Sequence, residues 1–416
     1  MPAVGADVRE SRGGRLTAAW TAAVALLALA CAPARAADVS LEAETMQVPS
    51  HVGAVQSDPK ALGGAALRLF DRGAARRDVT TRRSTVHLFV RARGQGCLGP
   101  PAISVSVGGV PRWTSVLQNG DYSYLGGPVS LPSGRHRVSV SMTSDPIFGP
   151  FCSRQAWIDR ITLVGEPFRA RGWRNAPLPP HARVARHSKA LVKELRRQIA
   201  SRPRGAGVGT AQYSSPVYVA PPDEPTVRVT GPPKRPDLQV QWNAVPLPPG
   251  AHPAAGSDQN LVVWQPATNA LWEFWGLHRN ALGGWSARYG GRMPFVSRND
   301  GEFEYPPGPQ FGASASSIAL LAGMQRVAEL QRGVIDHAVD FAVLARRGRD
   351  GWCWPAHRTD PQHWRRSKGA IPAGLRFRLP AGLDLAAYAR DPRHRLSRYA
   401  LTVARAVQRH GMIVRE

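Results

Sequence analysis

Between Val39 and Val164 the chain repeats short alternating or apolar runs, among them Val86-His87-Leu88-Phe89-Val90, Ile103-Ser104-Val105-Ser106-Val107, Val138-Ser139-Val140-Ser141-Met142 and Trp157-Ile158-Asp159-Arg160-Ile161-Thr162-Leu163. Alternation with a period of two puts successive side chains on opposite faces of a strand. Gly, Pro, Asn and Asp break the runs, and Gly63-Gly64, Gly108-Gly109 and Gly126-Gly127 read as turns between strands. No stretch of helical period interrupts them. The pattern predicts an all-β antiparallel sandwich over residues 39–165.

From 166 to 236 the composition turns to Pro, Arg and Gly, which reads as a linker. It holds one amphipathic helix, 184–199, with Leu191, Leu195 and Ile199 on one face. Residues 237–416 predict an α+β domain. It opens on strand-like Leu261-Val262-Val263-Trp264 and Ala270-Leu271-Trp272-Glu273-Phe274-Trp275, with Asn269 supplying the turn. A helical pattern follows over 316–344, broken at Gly333, and a last helix over 392–410 has Asp391 as N-cap, Pro392 at N1 and Gly411 past its end.

The first 36 residues carry Arg9, Arg12 and Arg15, then an apolar run, then Ala34-Arg35-Ala36, the order of an export signal cleaved after Ala36. The apolar run is shorter than the roughly 20 residues of a membrane span, so the expectation is a secreted protein that is not an integral membrane protein. Lipid anchoring through Cys31 is the minor alternative, on the poor lipobox Ala28-Leu29-Ala30-Cys31. Loss of the leader leaves Cys97, Cys152 and Cys353, a count that suits one pair and one leftover thiol in an oxidising compartment.

The formal net charge of +25 is built almost wholly from arginine, since Lys60, Lys189, Lys193, Lys234 and Lys368 are the lysines. Codon bias toward arginine explains that charge, and so does attraction to an acidic polymer such as a polyuronate, an anionic wall glycan or nucleic acid. The export signal and the lack of any zinc-finger, RNA-recognition or helix-turn-helix pattern argue against a nucleic-acid partner.

The C-terminal half is dense in acid/base groups: Asp258, Glu273, Asp336, His337, His357 and Asp360. Glu273 with Asp258 or Asp336 would be the paired carboxylates of a glycoside hydrolase. His337, His357, Arg358 and Tyr305 would instead serve a uronate lyase, where a cation neutralises the carboxylate and a base takes the C5 proton. Glu273 also reads as the outward member of a strand alternation, and His337 as a core histidine. Whether this half is catalytic stays open, and a non-catalytic anchoring unit is a third reading. It resembles secreted bacterial domains of unassigned function, which supply no mechanism.

The N-terminal segment opens with Leu41-Glu42-Ala43-Glu44, continues through Arg91-Ala92-Arg93-Gly94, Cys97-Leu98-Gly99-Pro100 and Gly134-Arg135-His136-Arg137, and closes with the strand from Trp157 to Leu163. In order and spacing it resembles the galactose-binding-like jelly-roll modules, in particular the calcium-dependent xylan-binding carbohydrate modules, over about residues 39–165. The resemblance implies a polysaccharide partner. It implies a structural calcium held by Glu42, Glu44 and Asp159, because carboxylates from the first and last strands would supply hard oxygen ligands. It also implies a Cys97–Cys152 disulfide. The second calcium of those relatives, which sits in their sugar site, is weakened here. Asp145, Cys152 and Arg154 are kept, whereas Ser153 and Gln155 replace an Asp and an Asn. Sugar contact would fall to Asp145 and Arg154, with Trp113, Tyr122, Tyr124 and Phe148 as rings able to stack on a pyranose or, equally, to pack in the module.

Overall fold

The computed structural model describes residues 38–96, 99–145, 152–203, 205–303, 311–344, 346–347, 351–359, 364–365 and 370–416. Its strands in the first part are β1 (Val39–Glu42), β2 (Gly53–Ser57), β3 (Ala65–Leu69), β4 (Ala74–Thr81), β5 (Thr85–Gln95), β6 (Ala102–Val107), β7 (Val110–Val116), β8 (Ser123–Leu131), β9 (Gly134–Met142) and β10 (Gln155–Gly165). They form two sheets, β2-β3-β10-β5-β8 and β4-β9-β6-β7, with β1 also pairing to β10. All of these pairings are antiparallel. Alternation does what the sequence implies: Leu67, Val90, Ile103, Val105, Val140 and Ile158 turn inward and are buried between the sheets.

β10, at 11 residues as long as β5, organises the sandwich. Residues 160–163 take β1 and residues 156–158 take β3 along one edge, while β5 runs along the other. First and last strands are therefore neighbours. Gly126-Gly127, read from the sequence as a turn, instead lies inside β8. A Cβ on Gly126 would come within 2.3 Å of the Leu88 carbonyl oxygen and 2.7 Å of the Phe89 ring, so the glycine serves a close approach to β5.

After β10 come α1 (Ser188–Ala200), β11 (Val217–Val219), β12 (Val229–Thr230), α2 (Pro236–Gln241), β13 (Leu261–Gln265), β14 (Ala270–Trp275), β15 (His278–Arg279), β16 (Trp285–Ser286) and β17 (Tyr289–Pro294). The chain continues with α3 (Val327–Arg332), β18 (Val339–Phe341), β19 (Arg346–Arg347), β20 (Trp364–Arg365), β21 (Arg376–Phe377), α4 (Leu385–Arg390), α5 (Arg398–Arg409) and β22 (Met412–Val414). The molecule is thus mostly β, with few helices. β13 and β14 join across Asn269, whose φ of 53° gives the left-handed turn expected of it, and the sheet order is β11-β13-β14-β17.

Two helical expectations change. Residues 316–326 are not helical and the helix is only α3, which ends on Gly333 at φ 81°. Ile318 to Ala322 are buried on every side, so their apolar run carries no helical face. Buried serines also compete for the backbone, with Ser314 Oγ donating to the Ile318 carbonyl at 2.6 Å. The last helix, α5, is capped by Ser397, whose Oγ accepts the Ala400 N–H at 3.1 Å, while Asp391 closes the separate α4.

The largest core joins Phe89 and Val164 of the sandwich to Phe168, Trp173, Trp242, Trp264 and Phe274. Phe168 and Trp173 come from the Pro- and Arg-rich stretch whose composition suggests a linker. Buried charge also stitches this region: Glu166 at the end of β10 pairs with Arg174 at 3.3 Å and with Arg326, Arg326 pairs with Glu329 at 2.8 Å, and His337 Nε2 lies 3.1 Å from Glu329. The described residues fall in one compact unit.

Candidate functional site

The outer face of the β3-β10-β5-β8 sheet carries an arginine–aromatic ladder. Arg68, Trp157 and Arg93 are cross-strand partners on β3, β10 and β5. The Arg93 guanidinium lies 4.3 Å from the Trp157 ring and 5.3 Å from Tyr122, and Arg91 lies 4.7 Å from Tyr122. The 58–62 loop closes over this face. Asp58 accepts from Arg93 at 2.8 Å, from the Tyr122 hydroxyl at 2.9 Å and from the Lys60 N–H at 3.0 Å. Burial alone would raise the Asp58 carboxyl, but those hydrogen bonds outweigh it and hold it below the usual range. Burial and the neighbouring Asp58 push the Tyr122 phenol up. Tyr122 is thereby engaged in the covered face. Tyr124 packs edge-on to Phe89, ring centroids 6.4 Å apart, and contacts the larger core. Trp113 packs beside the sandwich core, where a Cβ on Gly127 would meet its ring at 3.0 Å. Arg91 and Arg93 are not among the expected site residues, yet the period of two in β5, with Val90 and Ala92 inward, is the signal that places them on the Trp157 face.

One end of the sandwich is formed by the loops after β3, after β5 and before β10. Here Arg72 donates to Asp145 at 2.6 Å, with the two side chains 75% and 59% exposed. Arg154 donates to the Gly99 carbonyl at 3.2 Å and reaches the Asp145 carbonyl at 3.4 Å. Asp145 and Arg154 are thus brought together, and Arg72 joins them, whereas Trp113, Tyr122 and Tyr124 lie elsewhere. Cys97 and Phe148 lie outside the described residues, and Cys353 is a free thiol.

The three residues expected to hold calcium have separate surroundings. Asp159 is fully buried, paired with Arg91 at 2.6 Å and hydrogen-bonded by the Leu62 N–H at 3.2 Å. Glu42 pairs with Arg160 at 2.6 Å. Glu42 Oε2 and Glu44 Oε2 are nevertheless buried with no hydrogen-bond partner among the described residues, and orphaned carboxylate oxygens suit a cation. Among the described residues no group of three or more His, Cys, Asp or Glu side chains is placed to hold a metal ion. Of the expected set, Glu42 and Glu44 each keep one unpartnered oxygen, while Asp159 is taken up by Arg91.

The C-terminal candidates are spread over different environments. Glu273 on β14 is fully buried rather than outward. Burial pushes its carboxyl up to about 8, Oε1 accepts the Leu321 N–H at 3.4 Å, and Oε2 has no partner among the described residues. Asp258 accepts from the Trp275 indole at 3.2 Å. Asp336 sits toward the surface with Arg332 at 3.1 Å, while His337 turns inward to Glu329 and to the Ala338 carbonyl at 2.8 Å. The His357 N–H bonds the Ser316 carbonyl, and its ring lies 6.5 Å from Trp352. Arg358 bonds the Gly312 and Ser314 carbonyls at 2.9 and 2.7 Å. Asp360 and Tyr305 lie outside the described residues.

No protein-family model matches the chain, and neither does any curated protein sequence. Among solved structures, the chain is similar to a family 36 carbohydrate-binding module in complex with calcium and xylotriose, at 18% identity and TM-score 0.25, covering 30% of this chain and 97% of that one. It is also similar to a family 35 carbohydrate-binding module from Clostridium thermocellum, at 18% identity and TM-score 0.26, over 30% and 98% of the two chains. A third is an exo-β-1,3-galactanase from Phanerochaete chrysosporium, at 19% identity and TM-score 0.26, over 31% and 29%. Likenesses of that size, over under a third of the chain, assign no function.

Proposed function

We propose that the protein binds a polysaccharide through the loop end of its sandwich, with Arg72, Asp145 and Arg154 contacting sugar hydroxyls. The observation that carries this is the Arg72–Asp145 pair, more than half exposed on both sides at a rim where Arg154 also stands. An ion pair so open to water adds little stability, about 0–1 kcal/mol, so its groups can be shared with a ligand at small cost. The broad outer sheet face offers no comparable place, because the 58–62 loop and the larger core occupy it. Affinity electrophoresis of the whole chain through gels containing xylan and other neutral or acidic glycans is the test. Retardation by at least one glycan is expected, and unaltered mobility in all of them ends the reading.

Export directed by residues 1–36 and a Cys97–Cys152 disulfide belong to the same proposal. Structural calcium would be held by Glu42 and Glu44, with Asp159 joining only where Arg91 gives way. Residues 237–416 serve this reading as the body that carries the sandwich. Among the described residues Glu273, Asp258, Asp336 and His337 each have separate partners, so this reading assigns them no shared catalytic role.

A further inference from the structure

α1 is tied down on one side. Leu191 is buried and Leu195 packs with it on a small cluster containing Ile371, Phe377 and Val414, while Gln198 Oε1 accepts the Leu344 N–H at 2.8 Å. The opposite face carries Lys189, Val192, Lys193 and Arg196 at spacings of three, four and seven, which stack on one side of a helix. All four are exposed, as are Arg183 and Arg186 just before the helix. The one acid in α1, Glu194, is bound by Arg197 at 2.7 and 2.8 Å and by Gln198 at 2.9 Å. Among the described residues, no ion pair joins Lys189, Lys193 or Arg196 to an acid. A surface depression lies on this face, lined by Ser188, Lys189, Val192, Lys193 and Arg196, and another, lined by residues 184–190, lies at the start of the helix. Two of the five lysines in an arginine-dominated chain stand here.

We propose that this face binds an acidic polysaccharide, its cations receiving successive carboxylates along the polymer. It is a second contact that does not depend on the loop end. Charge complementarity carries it: like cations one turn apart repel, no acid among the described residues pairs with them, and a polyanion would neutralise them while releasing its own counterions. Nucleic acid fits less well, because the stripe has no aromatic ring on which bases stack. A lipid surface fits less well too, because Val192 is the one apolar member of the four and interfacial helices need a broad apolar face.

The test uses the whole chain and polygalacturonate, with binding read by isothermal titration calorimetry. Wild type should bind it, and affinity should fall steeply as salt rises from about 50 to 200 mM. K189E/K193E/R196E should weaken binding by about tenfold or more, and K189Q/K193Q/R196Q by less, with both variants melting like wild type because the three side chains are exposed. Introduced into a D145A/R154A background, K189E/K193E/R196E should still cause its own further loss of polygalacturonate affinity, which separates this proposal from the loop-end reading. Equal affinity of the glutamine variant and wild type would overturn the proposal, as would insensitivity to salt. Tighter binding of duplex DNA or of phosphatidylglycerol vesicles, lost in the same variants, would overturn the choice of polysaccharide.

Discussion

Among the described residues Glu273 has no counter-charge in hydrogen-bond contact, and burial holds its carboxyl near 8, against an ordinary value of 4.5. A carboxyl with a raised folded-state pKa contributes stability that is fully present below about 4.5 and is lost as pH rises through about 8, because the unfolded chain releases the proton first. Glu273→Gln keeps the shape of the neutral acid and cannot ionise. Melting temperatures of the two proteins should agree near pH 4.5, and the variant should melt progressively higher as pH approaches 8.5. A gap that does not change with pH would show that Glu273 is charged in the fold. Calcium belongs to the same scale. Glu42 and Glu44 hold orphaned oxygens, so adding calcium to chelator-treated protein should raise its melting temperature, and Glu44→Gln should abolish the rise. A temperature indifferent to calcium would show that Glu42 and Glu44 hold no such ion. Asp159 shows why such sites are only half legible. The sequence displays a carboxylate in the last strand, but not the Arg91 guanidinium that reaches it from 68 positions earlier in the chain.

Strands were the legible elements. β5, β6, β9 and β10 lie where period-two alternation places them, since one buried face of a sandwich imposes that period directly. Helices were not. Ile318 to Ala322 are apolar because they are enclosed, and enclosure has no period. Around α5 the Asp391-Pro392 signal is a sound start pattern, yet Ser397 is the residue that caps. Ser397→Ala should therefore destabilise the protein by about 1 kcal/mol in denaturant unfolding. Asp391→Ala, by contrast, should leave α5 intact by circular dichroism. The reverse order of effects would place the helix start where the sequence suggested.

On the scale of the molecule, the sandwich shares its outer face with the residues C-terminal to β10. Phe89 and Val164 lie in the larger core beside Phe168 and Trp242, so a fragment of residues 38–165 would leave both in water. At roughly 1.5–3 kcal/mol for each buried apolar side chain, the fragment should unfold at a clearly lower temperature than the whole chain. Equal melting temperatures would mean that the two parts are energetically independent. Composition concealed this contact: the Pro- and Arg-rich stretch after β10 reads as a linker, yet it delivers Phe168, Trp173 and Arg174 to the interior. The central claim remains glycan binding at the loop end. It is tested most directly by calorimetric titration of the whole chain and its D145A/R154A variant with the glycan that retards wild type most, or with xylohexaose if several do so equally. Measurable wild-type binding is expected, falling by at least roughly tenfold in the variant because two charge-assisted hydrogen bonds are lost, with the melting temperature unchanged. Equal affinity of wild type and variant would contradict it.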